Sequence, residues 1–133
     1  MLALLCLGML AVAVVWLRRR SIRRRWQQRI YAELDQIAAT QAETPDAQRL
    51  SSAVSQLLRR ASRLLDPAAP ALRGEAWLAF LDTNMGTGEF SEGVGRVILD
   101  GPYQRTASCD ADALLNLTRR WLRCTLERQK THV

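Results

Sequence analysis

The chain has a single histidine, and it is His132, beside the C-terminal valine. A Ser-His-Asp triad, a Cys-His pair or a histidine metal site needs an imidazole held by packing, which a chain end does not supply. The one lysine, Lys130, lies in the same tail. Three cysteines are too few and too scattered for a disulfide framework, and they lack C-x-x-C spacing. Cys6 sits in an apolar run. Cys109 and Cys124 read as unreactive thiols in a reducing compartment, Cys124 packed within a helix, with a disulfide between them as the alternative. No alternating strand pattern, internal repeat or low-complexity tract is present. The glycine-rich stretch "GTGEFSEGVG" has no following Lys-Ser or Lys-Thr and no preceding buried strand, so it is not read as a phosphate loop. Glu89 and Glu92 in that stretch read as solvated. Glu75 and Asp82 lie seven residues apart, about 10 Å along a helix at ~1.5 Å per residue, which alone is weak support for paired-carboxylate chemistry. These absences argue against an enzyme, and no cofactor, metal or small-molecule substrate is expected.

Acidic residues are also missing from the first 32 positions, and this reverses the meaning of the net charge. The 133 residues carry a formal charge of +6, ordinarily a pointer to nucleic acid or anionic lipid. Seven of the 19 basic residues fall between Arg18 and Arg29, however, leaving 12 basic against 13 acidic elsewhere. The rest of the chain is close to neutral.

What precedes the arginines is "MLALLCLGMLAVAVVWL", residues 1–17, with no charge, no proline and one glycine. As a helix it is about 25 Å long at ~1.5 Å per residue, the short end of a membrane span. Trp16 at its edge suits the headgroup layer, and Arg18, Arg19, Arg20, Arg23, Arg24 and Arg25 can extend their stems back toward the interface. A cleaved signal peptide carries its charges before the apolar segment and small residues after it; here the order is reversed. The positive-inside rule then puts the N-terminus outside and the remainder in the cytoplasm of a bacterial inner membrane. A nucleic-acid grip is not expected, because the arginines surround the helix and adjoin hydrocarbon. The block is expected to fix orientation and hold the following helix against the membrane surface.

Trp26, Ile30, Tyr31, Leu34, Ile37 and Ala38 recur at helical intervals and predict an amphipathic continuation of the span, ending near "TQAETPD". Thr44 is the expected cap of the next helix, with Pro45 in its first position. That helix is expected to run to about Leu65, with Leu50, Val54, Leu57, Leu58, Ala61, Leu64 and Leu65 as its apolar stripe. Arg59 and Arg60 lie outside the stripe, as a solvated face or a possible interface. After Asp66-Pro67 and Pro70, a short helix from Gly74 or Glu75 carries Trp77, Leu78, Phe80 and Leu81, a dense cluster that reads as core. "TNMGTGEFSEGVG" is expected to be a loop. Val94, Val97 and Ile98 fit a helical turn, while Val97, Ile98 and Leu99 equally fit a short strand, and Gly101-Pro102 ends either one. The last helix opens near Asp110 and presents Leu114, Leu115, Thr118, Trp121, Leu122 and Leu126 on one face. The expected fold is all-α: a transmembrane helix (1–17), a basic juxtamembrane and amphipathic helix (18–43), a small cytoplasmic helical domain (44–128) and a tail (129–133).

At "LLRRAS" (57–62) and "LRGEAWLAFLD" (72–82) the sequence resembles a bacterial membrane-protein family known as domain of unknown function 4381. Members share the order of one span, a basic stretch, a Leu-Arg-Arg helix and then the Gly-Glu-Ala-Trp-Leu-x-Phe-Leu-Asp motif. Here that motif is Gly74, Glu75, Trp77, Leu78, Phe80, Leu81 and Asp82, read as packing or interface residues. Tyr103 and Trp121-Leu122 match more weakly. Such members usually carry a proline- and tryptophan-rich stretch before the span, whereas this chain begins at apolar Met1. The resemblance implies an association with MoxR-type AAA+ ATPases and membrane proteins bearing von Willebrand factor A domains, in complex assembly or stress tolerance. It assigns no catalytic residue. The expectation is therefore a non-enzymatic anchored accessory or adaptor, with a membrane-tethered transcription regulator and an enzyme using a polar pocket at Glu75, Asp82 or Asp100 as the alternatives.

Overall fold

The computed structural model describes residues 1–100 and 110–131. Asp100 and residues 129–131 are placed as backbone only, so Tyr103, Cys109, Gly101-Pro102, His132 and the side chain of Asp100 lie outside the description. All regular structure among the described residues is helical: α1 (Leu2–Glu43), α2 (Ala47–Ser62), α3 (Gly74–Met85), α4 (Val97–Asp100) and α5 (Ala111–Thr131), with 3-10 turns at Ala69–Ala71 and Val94–Arg96. The protein is all-α, as the periodicities indicate. It divides into two compact units, Met1–Ile30 and Tyr31–Val133.

The first unit is a single helix. Its side chains from Met1 to Trp26 are exposed, including the apolar Leu4, Leu5, Leu10, Val12 and Leu17. The helix is long and apolar enough to cross a membrane by length and composition.

The second unit holds residues 31–43, α2, α3, α4 and α5. Leu34 is buried, while Tyr31, Ile37 and Ala38 are half-buried. In α2 the stripe of Leu50, Val54, Leu57, Leu58 and Ala61 is buried, and α2 packs against both α4 and α5. α3 packs against α5. The centre of the unit is filled by Trp77, Leu78 and Leu81 from α3 and by Leu114, Leu117, Trp121 and Leu122 from α5, with Phe90 from the intervening loop. Trp121 also donates its Nε1–H to Leu81 O at 3.1 Å, a buried bond that fixes the rotation of α5 against α3.

Three details differ from the sequence reading, and one alternative it left open is decided. Asp46, and not Thr44, caps α2, accepting the Arg49 amide at 3.2 Å, and Pro45 lies before the cap. A carboxylate there also faces the positive end of the helix dipole, which favours Asp over Thr. Leu64 lies beyond the end of α2 and is exposed, because the chain turns there: Leu64 and Leu65 amides bond to Ala61 and Ser62 carbonyls, and Asp66 Oδ1 accepts the Ala68 amide. α3 extends through Thr83, Asn84 and Met85, residues assigned to the loop from composition, and stops where Gly86 adopts the left-handed conformation. Residues 97–99 are helical, not strand.

Candidate functional site

The family-like motif opens at a backbone peculiarity. Gly74 is the first residue of α3 and has φ of +59°. A side chain there would meet no atom within 4 Å but would be forced into the left-handed region, so conformation and not space selects glycine. The turn aims α3 so that Trp77, Leu78 and Leu81 enter the core. Phe80, half-buried, stacks on Trp77 with centroids 6.0 Å apart and planes inclined by 11°.

Polar members of the motif bond within the unit. Glu75 pairs with Arg96 at 2.5 Å, and Arg96 also donates to Ser91 O at 3.0 Å. Asp82 uses both carboxylate oxygens: Oδ1 accepts the Phe90 amide at 2.8 Å, and Oδ2 accepts the Ser91 amide at 3.0 Å and the Ser91 hydroxyl at 2.5 Å. This clamp sets Phe90, whose ring is fully buried. Gly95 makes room for it, since a Cβ at Gly95 would lie 2.6 Å from Phe90 Cδ1 and 3.0 Å from Leu117 Cδ2. The glycine-rich stretch is thus a folded clip with an aromatic plug, and composition had concealed the plug.

Arg59 and Arg60 have separate placements. The Arg59 guanidinium lies over the Trp77 ring, 4.5 Å from its centroid, and its Nη1 donates to Pro70 O and Leu72 O at 2.8 Å each. Burial, and then the neighbouring Arg73 charge, lower its pKa from the usual arginine value. Arg59 therefore ties the segment after Pro67 to α2 and covers Trp77. Among the described residues, neither the buried Trp77 Nε1 nor Ser62 Oγ has a hydrogen-bond partner. Arg60 is exposed and pairs with Glu33.

The arginine block has a different environment. Arg18, Arg19, Arg20, Arg23, Arg24 and Arg25 are all exposed, and the contact seen for them is a cation–π approach of Arg20 to the Trp16 ring at 5.3 Å. Trp16 and Arg20 thus meet one turn apart on the helix, the aromatic-and-basic pairing expected at a membrane boundary.

Two open grooves lie among the described residues. One, about 230 Å³, is lined by Glu33, Gln36, Thr40, Arg49 and Leu50 among others; the other, apolar, runs along Leu5, Gly8, Val12 and Trp16. Among the described residues no three His, Cys, Asp or Glu side chains come together as a metal site. Cys124 is a half-buried free thiol. Neither groove gathers Glu75 or Asp82.

A helical segment of membrane-spanning length joined to a small helical unit is therefore the class this architecture defines. The family model for the domain of unknown function (DUF4381) matches residues 1–124, and the chain belongs to that family. No curated protein and no solved structure matches it.

The sequence marked Asp82 as a packing or interface residue, or as part of a polar pocket, but not as the clamp on Phe90 and Ser91, and neither Phe90, Ser91 nor Arg96 was singled out. An aspartate in the last turn of a helix, followed by glycine and then an isolated aromatic, was the available signal.

Proposed function

We propose that this chain is a membrane-anchored, non-enzymatic accessory or adaptor of the bacterial inner membrane, working with a MoxR-type AAA+ ATPase and von Willebrand factor A domain proteins. The partners are those that family resemblance implies. The observation that most supports an adaptor is the disposition of the motif: its carboxylates bond to backbone amides and to an arginine, and Trp77, Leu78 and Leu81 fill the core. Of its two aromatics Trp77 is buried in the core and half-buried Phe80 stacks on it, so the motif maintains a shape for presentation to a partner. The apolar helix and its arginines would anchor that shape with the second unit in the cytoplasm. Confinement to a membrane raises effective concentration, so a modest interface suffices.

The test is affinity purification of the tagged full-length chain from its native membrane after mild crosslinking, with mass spectrometry of what is captured. Capture of the ATPase and a von Willebrand factor A protein, lost when residues 45–133 are deleted and the anchor kept, is the expected result. Capture of RNA polymerase components in their place would overturn the adaptor reading in favour of a tethered regulator.

A further inference from the structure

α1 distributes its arginines unusually. At 100° per residue, Arg18, Arg25 and Arg29 fall within about 40° of one another on one side. Arg20, Arg23 and Arg24 cluster on the opposite side within about 100°, and Arg19 lies on the flank between them. A helix lying in the membrane surface concentrates its cations on one polar face above an apolar one. This helix has no such face between Arg18 and Arg29. Acidic side chains begin only at Glu33, and none of the seven arginines forms an ion pair among the described residues.

Axially the charges form two tiers, Arg18 to Arg20 and Arg23 to Arg25, about 7.5 Å apart at ~1.5 Å per residue, with Arg29 a further turn on. The headgroup layer of one leaflet is about 5–8 Å deep. Arginine stems from the second tier can reach back into it, while the first tier starts inside it beside Trp16. Guanidinium groups bind phosphate through parallel N–H donors, and the tiers offer these in every direction around the axis.

We propose that residues 18–29 form a collar that gathers an annulus of anionic phospholipids around an upright helix, the ligand chemistry being the phosphate headgroups of acidic lipids. This replaces the expectation that the block holds the following helix against the surface. It rests on the apolar segment of α1 entering a bilayer.

The experiment reconstitutes the full chain in phosphatidylcholine vesicles containing trace spin-labelled phosphatidylglycerol or phosphatidylcholine. Electron paramagnetic resonance then measures how strongly each is immobilised at the protein. The expected preference for phosphatidylglycerol is about fivefold, the factor for one well-engaged arginine. It should shrink toward one as the Debye length falls from about 10 Å at 0.1 M salt to about 3 Å at 1 M. Arg18, Arg25 and Arg29 changed together to Gln, and Arg20, Arg23 and Arg24 changed together to Gln, should each lose a similar share; changing all seven should abolish the preference. A preference of one in the unaltered chain, or one surviving in the seven-fold variant, overturns the collar. Loss confined to a single triple variant overturns the upright annulus in favour of a helix lying on its side. Binding of a fluorescent oligonucleotide without lipid preference would assign the arginines to nucleic acid instead. Alkaline carbonate extraction separates the premises: a chain extracted from the vesicles fails as a span, whereas one that stays embedded without lipid preference fails only as a collar.

Discussion

Arginine is used in two opposite ways in this protein. In residues 18–29 no guanidinium group forms an ion pair among the described residues: no acid precedes Glu33, and the helix backbone consumes its own carbonyls. In the second unit Arg59 bonds to Pro70 O and Leu72 O, Arg96 to Glu75 and Ser91 O, Arg120 to Glu89, Arg119 to Asp35, and Arg128 to Asn84 O. Free carbonyls occur where helices end, and acids are interspersed throughout that unit. Residue type did not decide the role; the supply of acceptors did. The block is left without such acceptors among the described residues, while the others brace turns and helix ends.

That contrast can be broken by substitution, and the core that underlies it gives the largest effect. Trp77→Ala and Trp121→Ala should each cost about 3–5 kcal/mol in chemical denaturation, since both rings are fully buried and truncation leaves a cavity. An unchanged midpoint for Trp77→Ala, with partner capture lost, would make the ring an interface and not core. Asp82→Ala strands the Phe90 and Ser91 amides and should cost about 2 kcal/mol, with Asp82→Asn recovering part of it, as read from urea midpoints. Arg59→Ala removes two carbonyl partners and the cover over Trp77, for a loss of about 1–2 kcal/mol. Arg119→Ala breaks an exposed pair with Asp35 and should cost under about 0.5 kcal/mol. Changing the seven arginines of the block to Gln should leave the thermal midpoint of the second unit unmoved, because none of them forms an ion pair with that unit among the described residues.

A pH titration sharpens the same picture. Burial first, and then the Glu127 charge, raise the Tyr31 phenol above its usual 10, with Arg123 and Arg119 opposing. The unfolded chain ionises this group more readily, so its contribution is intact below about pH 10 and is lost as pH rises through the higher folded value. Tyr31→Phe should flatten that alkaline loss of stability in a denaturation series from pH 8 to 11.

The helices of the second unit were legible because each has an apolar stripe at 3.6-residue spacing with polar residues elsewhere: Leu50, Val54, Leu57, Leu58 and Ala61 in α2, and Leu114, Trp121 and Leu122 in α5. Residues 83–95 were not. Four glycines in thirteen residues read as loop, and no periodicity marks a single Phe90 as core. The Glu75 and Asp82 carboxylates were recognisable as charged groups on one helix, but their partners Arg96 and Ser91 lie beyond the range of any helical spacing rule. Arg59 looked like one more cation outside the stripe, since its carbonyl acceptors are 11 and 13 residues away across two breaks in the helix.

By itself, then, the sequence determined the all-α class, the apolar segment with its basic border and the identity of most core positions, because these follow from local composition and helical period. The family-like motif was also visible in it. Only the tertiary structure decided that Asp82 clamps a loop, that Phe90 fills the space left by Gly95 and that Arg59 covers Trp77, because a hydrogen-bond acceptor or a gap of the right size exists only once distant segments have packed together.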